Sequence, residues 1–279
     1  MTRTNDDRER EVRHLRSEVK RLRSELRRRT PSLEMLLRRR GFRVYKKEPA
    51  DDLLVPEEPF RNEFSVMLHK YSFRLFLRDV IKHQDRFTVE LLTRYSTGRT
   101  IRSYSAFLVR IGLVEEMKNG YRLIQRPMLS FGPTLEWYVA EMLKREFGAE
   151  VLWGVKFRRP QVGGDYDVIA KMDGTLLYLE VKSSPPKQIY DSEVAAFLDR
   201  VDDLGPEIAV FLMDTELRMK DKIVPMFEKA LAERSDAPPP VVRIERELFG
   251  IRDRLFIVNA KESISQNIET VIGRALRGR

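Results

Sequence analysis

The sequence has no cysteine, and it has only three histidines and two tryptophans in 279 residues. Without cysteine there is no disulfide scaffold, no thiolate zinc site and no cysteine nucleophile. His14, His69 and His83 are too scattered for an imidazole metal cluster or a histidine-based triad. Long apolar runs are missing too. The strongest, Ile208 to Met213, falls far short of the ~20 residues that a bilayer span needs. The first residues are rich in arginine, include acids and have no apolar stretch, which argues against a signal peptide. A soluble, cytoplasmic protein is expected, whose chemistry rests on carboxylates, lysines, hydroxyls or a metal held by oxygen. What is present is 42% apolar residues, enough to fill a core. The length suits one or two domains at roughly 150 residues each.

The net charge of +9 is unevenly placed. Residues 1–47 carry 17 Lys/Arg against 7 Asp/Glu. Residues 70–127 carry 12 against 5, whereas residues 128–232 carry 13 against 18. A basic arm therefore leads into a basic module and then an acidic one. That order suits a polyanion partner and a bound cation. The plainer reading is an arginine-rich coiled coil with ordinary solvated surfaces.

Val12, Leu15, Val19, Leu22 and Leu26 alternate at spacings of three and four, which is an a/d heptad seam. A helix this short is marginal alone, so the seam needs a partner, either a second copy or the protein's own body. A homodimer through this coiled coil is expected. A second short helix is predicted over Pro31–Arg40, ending at Gly41. Residues 1–47 thus form a basic helical arm, and residues 48–70, with their prolines and acids, read as a linker.

Residues 71–127 read as three helices and a hairpin. The first helix presents Phe73, Phe76/Leu77 and Val80/Ile81, and a short second one follows Thr88 with Val89, Leu91 and Leu92. Tyr95 to Gly98 is predicted as a turn. The third helix, about Ile101 to Ile111, would bury Tyr104, Phe107, Leu108 and Ile111. Asn119-Gly120 marks a two-residue hairpin turn. This order resembles a winged helix-turn-helix domain. The resemblance implies a recognition helix on which Arg99, Arg102, Ser103, Ser105 and Arg110 face outwards, with Lys118 at the wing tip, to meet phosphates and base edges. Such domains also serve as protein-docking modules.

Residues 128–279 change to an α/β pattern. A helix is predicted over Leu135–Phe147, then strands at 150–157, 166–171 and 175–182 and a helix near 189–204. A strand at 207–213, a helix at 219–233, strands at Val241–Ile244 and Leu255–Asn259, and a closing helix follow. Asp173-Gly174 is a strong hairpin signal. With those two residues as the loop, Met172 pairs with Thr175, and Asp167 falls opposite Glu180. Alternation places Asp165 and Asp167 on the face shared by Tyr178, Glu180 and Lys182. Two carboxylates across a hairpin repel at ~5 Å. A hard divalent cation between them, Mg²⁺ or Mn²⁺, relieves that repulsion. Lys182 would stand beside the metal-bound water or a scissile phosphate. Asp165 either assists the metal or pairs with Lys182, and a structural salt-bridge cluster is the non-catalytic reading of the whole set.

The run Asp167-Val168-Ile169, a short turn, and Glu180-Val181-Lys182 resembles the PD-(D/E)xK, restriction-endonuclease-like nuclease superfamily. The resemblance covers roughly residues 131–233. It implies Asp167 and Glu180 as the metal acids, Lys182 as the lysine, and a further metal glutamate on the preceding helix, matched by Glu136. One departure is Tyr166, which stands where many members carry proline. The implied fold is α/β: a restriction-endonuclease-like mixed sheet flanked by helices, preceded by a mostly helical winged-helix domain and an N-terminal coiled-coil helix. The implied function is that of a metal-dependent endonuclease or related phosphodiesterase hydrolysing DNA, with RNA as the alternative substrate. A non-catalytic dimeric DNA-binding regulator or scaffold is the alternative function.

Overall fold

The computed structural model describes residues 5–29, 31–49, 51–93, 96–158 and 162–278. The chain divides into two compact units, residues 1–43 and 44–279.

The first unit holds α1 (Asn5–Arg29) and α2 (Leu33–Arg39). Helix α2 starts after Ser32 rather than at Pro31. The Ser32 hydroxyl accepts the Met35 N–H and so satisfies one of the open amides of the first turn. Val12, Leu15, Val19 and Leu22 stand exposed along α1, and the side chain of Leu26 lies outside the described residues.

The second unit begins with an edge strand, β1 (Val44–Lys46). The stretch expected as a linker then carries α3 (Arg61–Leu68), which buries Phe64 and Leu68. Next come α4 (Tyr71–Lys82) and α5 (Gly98–Arg110), and the hairpin β2 (Val114–Met117) and β3 (Gly120–Leu123). Phe73, Phe76, Phe87, Tyr104 and Phe107 form their shared aromatic core, with ring centroids 5.0–6.5 Å apart. The short helix expected after Thr88 is instead a succession of turns. Only Leu92 is buried there while Leu91 is exposed, too little burial to offset the cost of nucleating a helix. Gly98 belongs to α5, capped by Thr97, rather than to a turn; Tyr95 lies outside the described residues.

The remainder runs α6 (Gly132–Glu146), β4 (Glu150–Phe157), β5 (Tyr166–Met172), β6 (Thr175–Lys182), α7 (Asp191–Leu204), β7 (Ile208–Met213) and α8 (Ile223–Ala232). It closes with β8 (Val242–Glu245), β9 (Leu248–Ile251), β10 (Leu255–Asn259) and α9 (Ile264–Arg277). One mixed sheet of eight strands results, in the order β1-β4-β5-β6-β7-β10-β9-β8. Its β6-β7 and β7-β10 pairs are parallel and the others antiparallel. The central strand β7, Ile-Ala-Val-Phe-Leu-Met, is buried at every position, as a strand covered on both faces must be. On one face Val168, Leu177, Leu179 and Val210 join the core with residues of α6 and α9. On the other, Phe157, Tyr166, Tyr178 and Phe211 form a row of edge-to-face and tilted ring contacts with Phe197 of α7 and Phe227 of α8. No described helix is long and apolar enough to cross a membrane.

Candidate active site

The site is built on the β5–β6 hairpin. Asp173 and Gly174 both take positive φ, +50° and +79°, as a tight turn matched to strand twist requires. The register follows from that turn: Met172 pairs with Thr175 and Val168 with Leu179. One step further along the strands stand Asp167 and Glu180. Here the ladder gives way to a side chain, since Asp167 Oδ2 accepts the Val181 N–H at 2.7 Å.

Glu180 is buried, at 2% exposure, and its carboxylate is fully engaged. Oε1 meets Lys182 Nζ at 2.9 Å and Arg200 Nη2 at 2.8 Å, while the Tyr178 hydroxyl donates to Oε2. Arg200 Nε donates to the same Tyr178 oxygen at 2.8 Å. Lys182 also reaches Glu193 Oε1 on α7 at 3.2 Å. Glu136 arrives from α6. Its carboxylate lies beside Gly154, whose φ of +56° and lack of a side chain leave room for the Pro49 ring. A Cβ at Gly154 would stand 3.8 Å from Glu136 Oε2 and run into the Pro49 ring.

The structure therefore brings Glu136, Asp167, Glu180 and Lys182 into one electrostatic cluster. Burial, followed by repulsion from Glu180 and Asp165, pushes Glu136 up to about 7, with Lys182 opposing. Burial, with Glu180 and Glu136 behind it, lifts Asp167 well above the usual carboxylate range. Glu180 goes the other way. Burial works against its charge, but Lys182, Arg200 and the Tyr178 hydroxyl outweigh it and hold it low. At Lys182 burial likewise loses to Glu180, Asp167 and Glu193, so the ammonium form is reinforced.

The cluster thus has one carboxylate well compensated by cations, and two whose protonated forms are favoured by burial and by their acidic neighbours. Among the described residues no group of three His, Asp or Glu side chains forms a ready metal cage. Mg²⁺, however, is commonly held by one or two carboxylates, with waters and substrate phosphate completing its shell. Asp167 and Glu136 suit that role in donor type and in charge, because a dication would offset the repulsion that raises both.

Asp165 needs correcting: it pairs with neither the acids nor Lys182 but with Lys156 Nζ, at 2.9 Å. The cause is the β4–β5 ladder, which sets Val155 against Tyr166 and so brings Lys156 beside the residue preceding β5. Arg200 and Glu193 were missed in the sequence. The available signal was Arg200's spacing on α7, three residues after Phe197 and four before Leu204, within the buried stripe.

Of the nucleic-acid candidates, Arg99, Arg102 and Ser103 are exposed on α5 and Lys118 is exposed at the β2–β3 tip. Ser105 is fully buried, contrary to its expected outward face, because it shares a helical stripe with Ile101 and Leu108. Arg110 is exposed, but it is paired with Glu63 of α3 and lies over the Phe107 ring.

No protein-family model and no curated protein sequence matches this chain. Among solved structures it is similar to Can2 from Sulfobacillus thermosulfidooxidans in complex with cyclic tetra-adenylate, at 15% identity and a TM-score of 0.45. That match covers 88% of this chain and 60% of the other. It is also similar to protein VC1899 from Vibrio cholerae, at 13% identity and a TM-score of 0.42, covering 76% of this chain and 53% of that one. The chain thus spans less than two thirds of the length of either structure.

Proposed function

We propose that this chain is a metal-dependent phosphodiesterase that hydrolyses DNA, of the restriction-endonuclease-like class. The observation that supports this reading is the gathering of Asp167, Glu136, Glu180 and Lys182 at the end of one hairpin, with two carboxylates held above their usual range. Asp167 and Glu136 would hold Mg²⁺ or Mn²⁺, with Glu180 beside them. Bound there, the metal would supply Lewis-acid stabilisation of the phosphate and a more acidic water.

The chain's own residues supply the rest. Lys182, kept as an ammonium, faces charge developing on a phosphate oxygen and acts as an electrostatic stabiliser rather than a proton acceptor. Arg200 fixes Glu180 and, through it, the position of the Lys182 nitrogen. Arg99, Arg102 and Ser103 on α5, with Lys118, would contact the nucleic-acid backbone and groove.

A second reading is a non-catalytic DNA-binding regulator. It is favoured by one observation, that both Glu180 oxygens are already satisfied by protein donors. Cleavage assays on duplex and single-stranded DNA and on RNA, with Mg²⁺ or Mn²⁺, separate the two. The wild type is expected to cleave DNA, and Asp167→Ala and Lys182→Ala to lose about a hundredfold or more. Equal activity in all three proteins overturns the assignment. Salt-dependent DNA binding without any cleavage supports the regulator instead, and cleavage confined to RNA moves the substrate class.

A further inference from the structure

Helix α1 carries its apolar seam in the open: Val12, Leu15, Val19 and Leu22 are 45%, 54%, 46% and 51% exposed. An arginine-rich helix with four large apolar side chains in one uncovered row is a face made for burial. We propose that this face is covered by α1 of a second copy, parallel and in register, as a two-stranded coiled coil. The proposal stands independently of the catalytic reading.

Three observations commit it to that occupant. First, the heptad letters place Val12 and Val19 at a, and Leu15 and Leu22 at d, and β-branched a with leucine d favours two parallel strands. Second, the flanking charges are sorted by sign. Glu11, Glu18 and Glu25 occupy g, whereas Arg16 and Arg23 occupy e. In a parallel pair each g faces the following e of the partner helix, which sets Glu11 against Arg16 and Glu18 against Arg23 across the seam. Third, the antiparallel arrangement sets g against g and e against e, glutamate facing glutamate and arginine facing arginine, which is unfavourable. Within one chain Glu18 leans on Arg21 at 2.6 Å, an exposed pair three residues apart that it can exchange for Arg23 of a partner.

The test uses the full chain. Light scattering at micromolar concentration is expected to give twice the 32.9 kDa chain mass, and Val19→Asp with Leu22→Asp to give the single-chain mass. Orientation is read by charge reversal. Glu18→Arg alone is expected to weaken the dimer roughly tenfold by facing Arg23, and adding Arg23→Glu to restore it. Because the chain has no cysteine, a single Leu15→Cys reports register directly: mild oxidation cross-links a parallel, in-register pair. A single-chain mass for the wild type overturns the proposal. So does a dimer that ignores Glu18→Arg, or one that the double reversal fails to restore.

Discussion

Replacing Asp214 by alanine is expected to destabilise the fold by about 3–5 kcal/mol, the cost of stripping the partner from a buried charge. Asp214 follows β7 directly and is wholly buried. Its Oδ1 accepts from Arg74 Nε at 2.8 Å and its Oδ2 from Arg78 Nη2 at 2.5 Å. Arg74 is itself 1% exposed, between the Tyr71 and Tyr138 rings, and also donates to the Leu68 and His69 carbonyls. Without Asp214 the Arg74 guanidinium would remain buried with carbonyl and ring contacts but no counter-charge. Combining Asp214→Leu with Arg74→Met and Arg78→Met is expected to recover much of the loss, since a buried ion cluster replaced whole by apolar groups is often near neutral. Urea unfolding of Asp214→Ala, Asp214→Leu and the triple variant reads both terms. A loss below about 1 kcal/mol for Asp214→Ala contradicts this description. Position makes the contact matter further: the Asp214 N–H donates to the Lys182 carbonyl at 2.8 Å. The same residue therefore ties α4 to the strand that carries the candidate catalytic lysine.

The second large effect is one of pH. Glu136 is lifted to about 7 in the folded chain by burial and by Glu180. Between about pH 4.5 and 7 the unfolded chain releases this proton while the folded chain keeps it, so the folded state loses stability as pH rises across that window. Glu136→Gln removes the loss. The variant is expected to match the wild type near pH 4 and to be more stable by up to about 3 kcal/mol at pH 8 in the absence of divalent cation. Thermal melts at the two pH values check it. A variant no more stable than the wild type at pH 8 would show that Glu136 carries no such strain.

The hairpin was the most legible part of the chain because its signal is local. Asp173-Gly174 fixes the turn, the turn fixes the register, and the register puts Asp167 and Glu180 at one level. Long elements such as α9, with apolar residues at helical spacing, were equally plain. What escaped is short or non-local. Strand β9 has four residues, all buried and without alternation, and β1 has three at a sheet edge. Arg200 escaped because its role depends on Glu180, twenty residues away on another element, and no local pattern encodes that pairing. Ser105 was misplaced because its small polar side chain reads as surface, whereas its position on α5 lies in line with Ile101 and Leu108.

The proposal that the acidic cluster holds a cation is tested most directly by calorimetric titration of Mn²⁺ into the wild type and Asp167→Asn. For the wild type at neutral pH, binding is expected with release of protons, because Glu136, lifted to about 7, must give its proton up to bind a metal. In Asp167→Asn that heat is expected to disappear while the fold is kept. Absence of binding in the wild type, or an unchanged isotherm in the variant, would contradict it.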